Sequence, residues 1–200
     1  MALQDEDVSS VRRGRVPKPR ASGRRHRLAS QALRCTECSG RLREGCEDFD
    51  YGTMSGGLAI TLRDCTVDRC ADCGEWEVGF WRVLDLHRLI ASSYVRKPGR
   101  LAPAEARFLR KFLNWSAADF AANMGVTTTQ VSRWENGMAM SATAERLLRV
   151  LASTHDMEGK AKRVTMEELQ VLLARKSGPV RPLRMVLRVK RGRWVREDAG

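Results

Sequence analysis

The chain has two hundred residues, 42% of them hydrophobic, enough for one or two small cores, and it carries a formal net charge of +12. No apolar run approaches the roughly 18 residues of a membrane-spanning helix. The first residues, with Asp5, Glu6 and Asp7 and no apolar stretch behind them, lack the features of a secretory signal. A cytoplasmic protein with polyanionic partners is expected.

The basic surplus sits at the two ends. Val8 to Arg34 holds nine basic residues and no acid, and Arg175 to Arg196 holds nine more, again without an acid. From Cys35 to Ala174, eighteen bases face nineteen acids. Residues 1–33 are rich in Arg, Ser, Gly and Pro. They are expected to form a disordered arm, since they cannot bury enough surface to offset the entropy of ordering. Such an arm could follow phosphates or a minor groove; a solvated tail without a ligand is the plainer alternative.

At Arg34 the composition changes. Cys35-Thr-Glu-Cys38 and Cys70-Ala-Asp-Cys73 are two C-x-x-C knuckles separated by 31 residues. Each pair can aim two thiolates at one ion, and two pairs complete a tetrahedral, closed and therefore structural zinc site. Reduced cysteines packed in a small core are the alternative, and a redox pair fits less well because such motifs come singly. Gly40 and Gly74, after the knuckles, suit tight turns. Cys46 and Cys65 remain: they either replace a knuckle ligand or, the preferred reading, fill the core from neighbouring strands. Leu58 to Leu62 alternates as a strand does, after a Ser55-Gly56-Gly57 turn. A zinc-clipped sheet is expected, because so short a segment lacks a self-sufficient core.

Trp76 to Tyr94 reads as a helix, with Phe80, Val83, Leu84, Leu86, His87 and Ile90 at three- and four-residue steps. His87 falls on that apolar stripe as a packed histidine rather than a ligand. Arg96 to Arg100 contains Lys-Pro-Gly and reads as a linker. Pro103 opens the next helix. Then comes WSAADFAANMGVTTTQVSRWENG, residues 115–137. Phe120 and Ala121 mark the apolar face of one helix, Val131 and Trp134 that of a second, and Gly125 turns the chain between them. Ser116 and Thr127 are the N-caps. Two helices joined this tightly make a helix-turn-helix, whose second helix reads a major groove. The reading face would be Thr128, Thr129, Gln130 and Arg133. Gln130 suits adenine and Arg133 guanine or phosphate, while Thr127 and Asn136, at the two ends, could meet phosphates. Glu145 to Leu151 forms a further helix.

Thr165 to Glu168 is a capping box for a helix reaching about Ala174. After Pro182 the alternation of Leu183, Met185, Leu187 and Val189, followed by Lys190-Arg-Gly-Arg193, predicts a β-hairpin. It could edge the zinc module, contact a second copy or a partner protein, or face DNA as a basic ribbon.

The expected fold is thus α+β. A disordered basic arm (1–33) precedes a β-rich Cys₄ module with its connecting helix (34–95). An all-α, five-helix DNA-binding domain (101–153) and a basic extension with helix and hairpin (154–200) follow.

The order of parts resembles the MqsA family of antitoxins, the YgiT-type zinc-finger proteins with an Xre/Cro-type helix-turn-helix. Cys35, Cys38, Cys70 and Cys73 and the stretch GVTTTQVSRWENG carry the resemblance, over roughly residues 34–153. It implies a homodimer formed through the DNA-binding domain, a palindromic operator on double-stranded DNA, and neutralisation of a cognate ribonuclease toxin through the zinc domain. The family's base- and phosphate-contacting asparagine and arginine fall at Thr129 and Arg133; the arginine is kept and the asparagine is not. Ala117 stands where Xre-type domains often carry a contacting glutamine. A stand-alone zinc-ribbon regulator with no toxin partner is the alternative. An enzyme is not expected: His26, His87 and His155 sit in no acid/base constellation, and a closed Cys₄ site has no open position. RNA binding would call for stacking aromatics, which are sparse in both basic ends.

Overall fold

The computed structural model describes residues 34–155, 163–174 and 178–197. The basic arm expected over 1–33 lies outside the described residues.

The chain builds a five-stranded sheet with a helical bundle packed on it. β1 (Leu42–Asp50), α1 (Gly52–Ser55), β2 (Ile60–Cys70) and β3 (Trp76–Val78) come first. α2 (Val83–Arg96), α3 (Pro103–Phe112), α4 (Ala117–Met124), α5 (Thr128–Glu135), α6 (Ala142–Thr154) and α7 (Met166–Leu173) follow, then β4 (Met185–Lys190) and β5 (Arg193–Glu197). The sheet order is β1-β2-β4-β5, with β3 also on β2. β2 has β1 along one edge; its other edge takes β4, in parallel, at Ile60–Leu62 and β3, antiparallel, at Val67–Arg69.

This topology decides what the C-terminal hairpin does. Among the roles open to it, the hairpin completes the N-terminal sheet, with Met185 and Leu187 buried beside Ile60 and Leu62. Its turn places both Arg191 (φ 50°) and Gly192 (φ 73°) in the left-handed region, the type I′ geometry that matches strand twist. The bundle is therefore inserted between strands of one sheet. A single apolar core runs from Ile60 and Leu62 through Leu86, Ile90 and Tyr94 on α2 to Leu109 on α3 and Leu148 on α6.

Two boundaries differ from the sequence reading. Trp76–Val78 is a strand, not the start of a helix: Trp76 and Val78 pair with Arg69 and Val67, and Arg82, at φ 46°, breaks any helix before Val83. The segment 101–153 holds four helices rather than five. The fifth of the bundle is α2, whose Leu86, Ile90, Ala91, Tyr94 and Val95 are buried. The periodicity signal belonged to the later part of the segment, where His87 is indeed packed: it shares a 2.7 Å hydrogen bond with the Tyr51 hydroxyl, and burial holds its pKa below the usual range.

The stretch read as a linker is held by buried charged side chains. Arg149, 2% exposed, donates to the carbonyls of Tyr94, Val95, Lys97 and Gly99 and to Glu145. Glu145 accepts from the Leu101 N–H and Arg100. Buried Glu105 accepts from Lys97, the Ala102 N–H and, at 2.6 Å, the Leu183 N–H just before β4. Loop carbonyls and amides that would be costly to bury unpaired are thus met by charged side chains from α3 and α6.

Candidate nucleic-acid interface and metal centre

Local sequence sets the reading helix. Ser116 and Asp119 form a reciprocal capping box at α4: Asp119 N–H to Ser116 Oγ is 3.1 Å and Ser116 N–H to Asp119 Oδ2 is 2.9 Å. The hydrogen bonds from Ser116 hold the Asp119 carboxyl below its ordinary pKa. Gly125, at φ 64°, ends α4 in the left-handed conformation that glycine adopts without strain. Thr127 then caps α5, accepting from the Gln130 N–H at 3.1 Å.

One face of α5 is core. Val131 is fully buried and Trp134 nearly so, with Phe120 edge-on to Trp134 at 6.3 Å. The other face is bare: Thr127, Thr128, Thr129, Arg133 and Asn136 are exposed and Gln130 half-exposed. Two of the predicted contact residues are already engaged. Gln130 Nε2 lies 3.5 Å from the Met138 sulfur, so it must rotate to read a base. Asn136 donates its amide to the Ser132 carbonyl at 2.8 Å, closing the end of α5.

The sequence reading did not single out the clamp behind this helix. Glu135 accepts from Arg107 Nε at 3.0 Å and from Arg110 Nε and Nη2 at 2.6 and 3.1 Å. Arg110 also donates to the Trp115 carbonyl. The signal was present in the position of Arg110 within the apolar stripe of α3, where a charge needs a buried partner. Because the pair is largely desolvated and bidentate, Glu135→Ala should cost about 2–4 kcal/mol. Thermal unfolding should show the loss, and operator affinity should fall with it as α5 loses its seat; an unchanged melting temperature would contradict the clamp.

At the far end of the sheet the four knuckle sulfurs lie within 4.8 Å of one another. Cys35 Sγ–Cys73 Sγ is 3.6 Å and Cys38 Sγ–Cys70 Sγ is 3.4 Å. A tetrahedron with zinc–sulfur bonds of about 2.3 Å has edges of about 3.8 Å, so the donors are set for an ion of that size. The two knuckles are built alike. The Cys35 N–H donates to the Gly40 carbonyl and the Cys70 N–H to the Glu75 carbonyl. Each has a left-handed residue directly after its second cysteine: Ser39 (φ 61°) and Gly74 (φ 75°).

Gly40 is therefore needed for a different reason than the turn. A Cβ there would fall 2.2 Å from Asp72 Oδ2 and 3.0 Å from the Cys70 sulfur. N–H groups of Cys73 and Asp72 aimed at the Cys70 sulfur lower that thiol to about 7, toward the thiolate a metal requires. Four close cysteines are thus compatible with a metal site. Cys65 is a buried core residue of β2, as expected; Cys46 is not, because it pairs with Thr66 on the sheet face away from Cys65 and Val67 and is exposed.

A glycine-turned helix pair with a clamped, outward-facing second helix defines a helix-turn-helix unit. The comparison with protein families agrees: residues 107–154 match the family model described as Helix-turn-helix. This segment supports a DNA-binding transcriptional regulator. No curated protein and no solved structure matches the chain. No helix among the described residues is long and apolar enough to cross a membrane.

Proposed function

We propose that the protein is a sequence-specific transcriptional repressor in the cytoplasm. It binds a palindromic double-stranded operator as a homodimer, is held together by a structural Zn²⁺ on Cys35, Cys38, Cys70 and Cys73, and carries out no catalytic step. The observation that supports this most is the bare polar face of α5, with Thr128, Thr129 and Arg133 outward and Val131, Trp134 and Glu135 fixing the helix from behind. Arg133 reads guanine or phosphate, Gln130 reads adenine after it leaves Met138, and Thr127 meets a phosphate at the helix N-terminus. Arg133→Ala should weaken specific binding by about 1–3 kcal/mol, about five- to 150-fold. In a gel shift on the promoter fragment, a wild-type-like affinity would remove α5 as the reader.

The finer reading is an antitoxin that represses its own operon and neutralises a ribonuclease toxin through the sheet module. Its support is the pairing of a Cys₄ module with a helix-turn-helix. Co-expression decides it: a small basic ribonuclease encoded next door should be silenced by this chain and co-purify with it. A stand-alone regulator is the second reading. One feature favours it: the chain's own hairpin completes the sheet, so this module is closed without a partner strand on that side.

A further inference from the structure

A large apolar side chain stands exposed beside the reading face of α5. Met138 is 48% exposed, while Met140, two residues on, is buried. Backbone geometry puts it there. Gly137, at φ 122°, reverses the chain after α5, and the Met138 N–H returns to the Arg133 carbonyl at 2.9 Å. The residue is thus tied back along the last turn of the helix rather than carried away from it. Its sulfur lies 3.5 Å from Nε2 of Gln130, eight residues earlier. A single exposed methionine is ordinary on a protein surface. One seated against a base-reading glutamine is in position to read as well.

Its chemistry narrows what it can read. A thioether has no N–H or O–H and accepts only weakly. It therefore has nothing to donate to a phosphate or to the N7 and O6 acceptors of purines. The apolar feature of the major groove is the C5-methyl group of thymine. Successive base pairs lie about 3.4 Å apart. The 3.5 Å between the ends of Gln130 and Met138 therefore confines the two side chains to one pair or to neighbouring pairs. When Gln130 turns to its adenine, the thioether loses that amide and is left facing the same groove. Its rotatable bonds let it close on a methyl without moving the backbone.

We infer that Met138 reads the C5-methyl of a thymine in, or next to, the base pair whose adenine Gln130 reads. The inference rests on α5 being the reading helix. It adds a specificity-determining residue that lies beyond α5 and carries no charge. Phosphate contacts fix the register of the protein on DNA without regard to sequence, whereas this contact distinguishes a base that carries the methyl from one that does not. Gln130 and Met138 then act as a unit, one recognising the polar edge of the purine and the other the apolar edge of the pyrimidine.

Deoxyuridine substitution tests this, because it removes the methyl and keeps the base pair. Selection from random duplexes first gives the sequence that the full wild-type chain prefers. No preferred sequence would overturn the repressor reading, and this inference with it. Each thymine of the preferred duplex is then replaced in turn by deoxyuridine, and affinities are measured for wild type and for Met138→Ala. At one thymine the wild type should lose about four-fold, the value of one buried methyl. Met138→Ala should bind the unmodified duplex about four-fold more weakly and lose nothing further at that thymine. Met138→Leu, which keeps an apolar side chain, should keep the sensitivity. Deoxyuridine losses that are equal in wild type and Met138→Ala at every position would overturn the methyl contact and leave the repressor reading standing. Met138 is exposed, so the melting temperature of Met138→Ala should match wild type, and the affinity change then reports the contact rather than the fold.

Discussion

Removing the zinc proposed for Cys35, Cys38, Cys70 and Cys73 should unfold the sheet module. Cys70→Ser, or a strong chelator acting on the wild type, is expected to abolish stoichiometric zinc and to melt the β1–β2 ladder from the knuckle end. Structural zinc contributes about 10–16 kcal/mol of apparent binding free energy in small zinc domains at neutral pH. A whole domain has only about 5–15 kcal/mol of net stability, so metal loss outweighs what the sheet retains. Cys35 and Cys70, both buried, anchor the two knuckles where β1 and β2 begin and end. Loss should spread beyond the sheet, because β4 and α2 share its core. Elemental analysis of purified wild type with circular dichroism before and after chelation measures this; a zinc-free, fully folded protein would contradict it. Acid should act in the same direction. The Cys70 thiol is held at about 7 by the amides of Cys73 and Asp72. Protons compete with a metal for all four sulfurs, so metal affinity should fall as pH drops.

Arg149→Met is expected to destabilise the protein by about 3–5 kcal/mol, the usual cost of breaking a buried ion pair. The substitution preserves much of the side-chain volume, so the loss is electrostatic. It removes the arginine that donates twice to Glu145 and leaves four carbonyls, of Tyr94 and Val95 at the end of α2 and of Lys97 and Gly99 in the loop after it, without this donor. For a chain of this size each kcal/mol is about 2–4 °C, so the melting temperature should fall by about 6–20 °C. Adding Glu145→Gln to Arg149→Met should return part of the loss, since a buried carboxylate left to Arg100 and the Leu101 N–H is then neutral. A melting temperature unchanged by Arg149→Met would mean that the junction is held by apolar packing alone.

The junction also marks how far local sequence reaches. The helix-turn-helix was legible because each of its signals is local: Ser116 and Thr127 as caps, Gly125 at positive φ, Val131 and Trp134 three residues apart on one helix face. The knuckles were legible because C-x-x-C spacing restricts where two sulfurs can point, and the sheet brings all four within 4.8 Å. The linker, by contrast, read as Lys-Pro-Gly and therefore loose. Its order comes from Glu105, Glu145 and Arg149, up to 52 residues away, and no spacing rule connects a buried arginine to carbonyls that distant. Cys46 read as core because the register that sets it opposite Thr66, on the face away from Cys65, is fixed only by the pairing of β1 with β2.

What the sequence by itself determined is the reading helix, its caps, the paired cysteine knuckles and the charge of the two ends. These follow from backbone preferences and from periods of two and 3.6 residues, which act over a single turn or strand. Only the tertiary structure decided that the last strands return to the first sheet, that the DNA-reading bundle is inserted within it, and that charged side chains lock the two together. Those outcomes depend on burying one shared core and on pairing polar groups that the burial would otherwise strand.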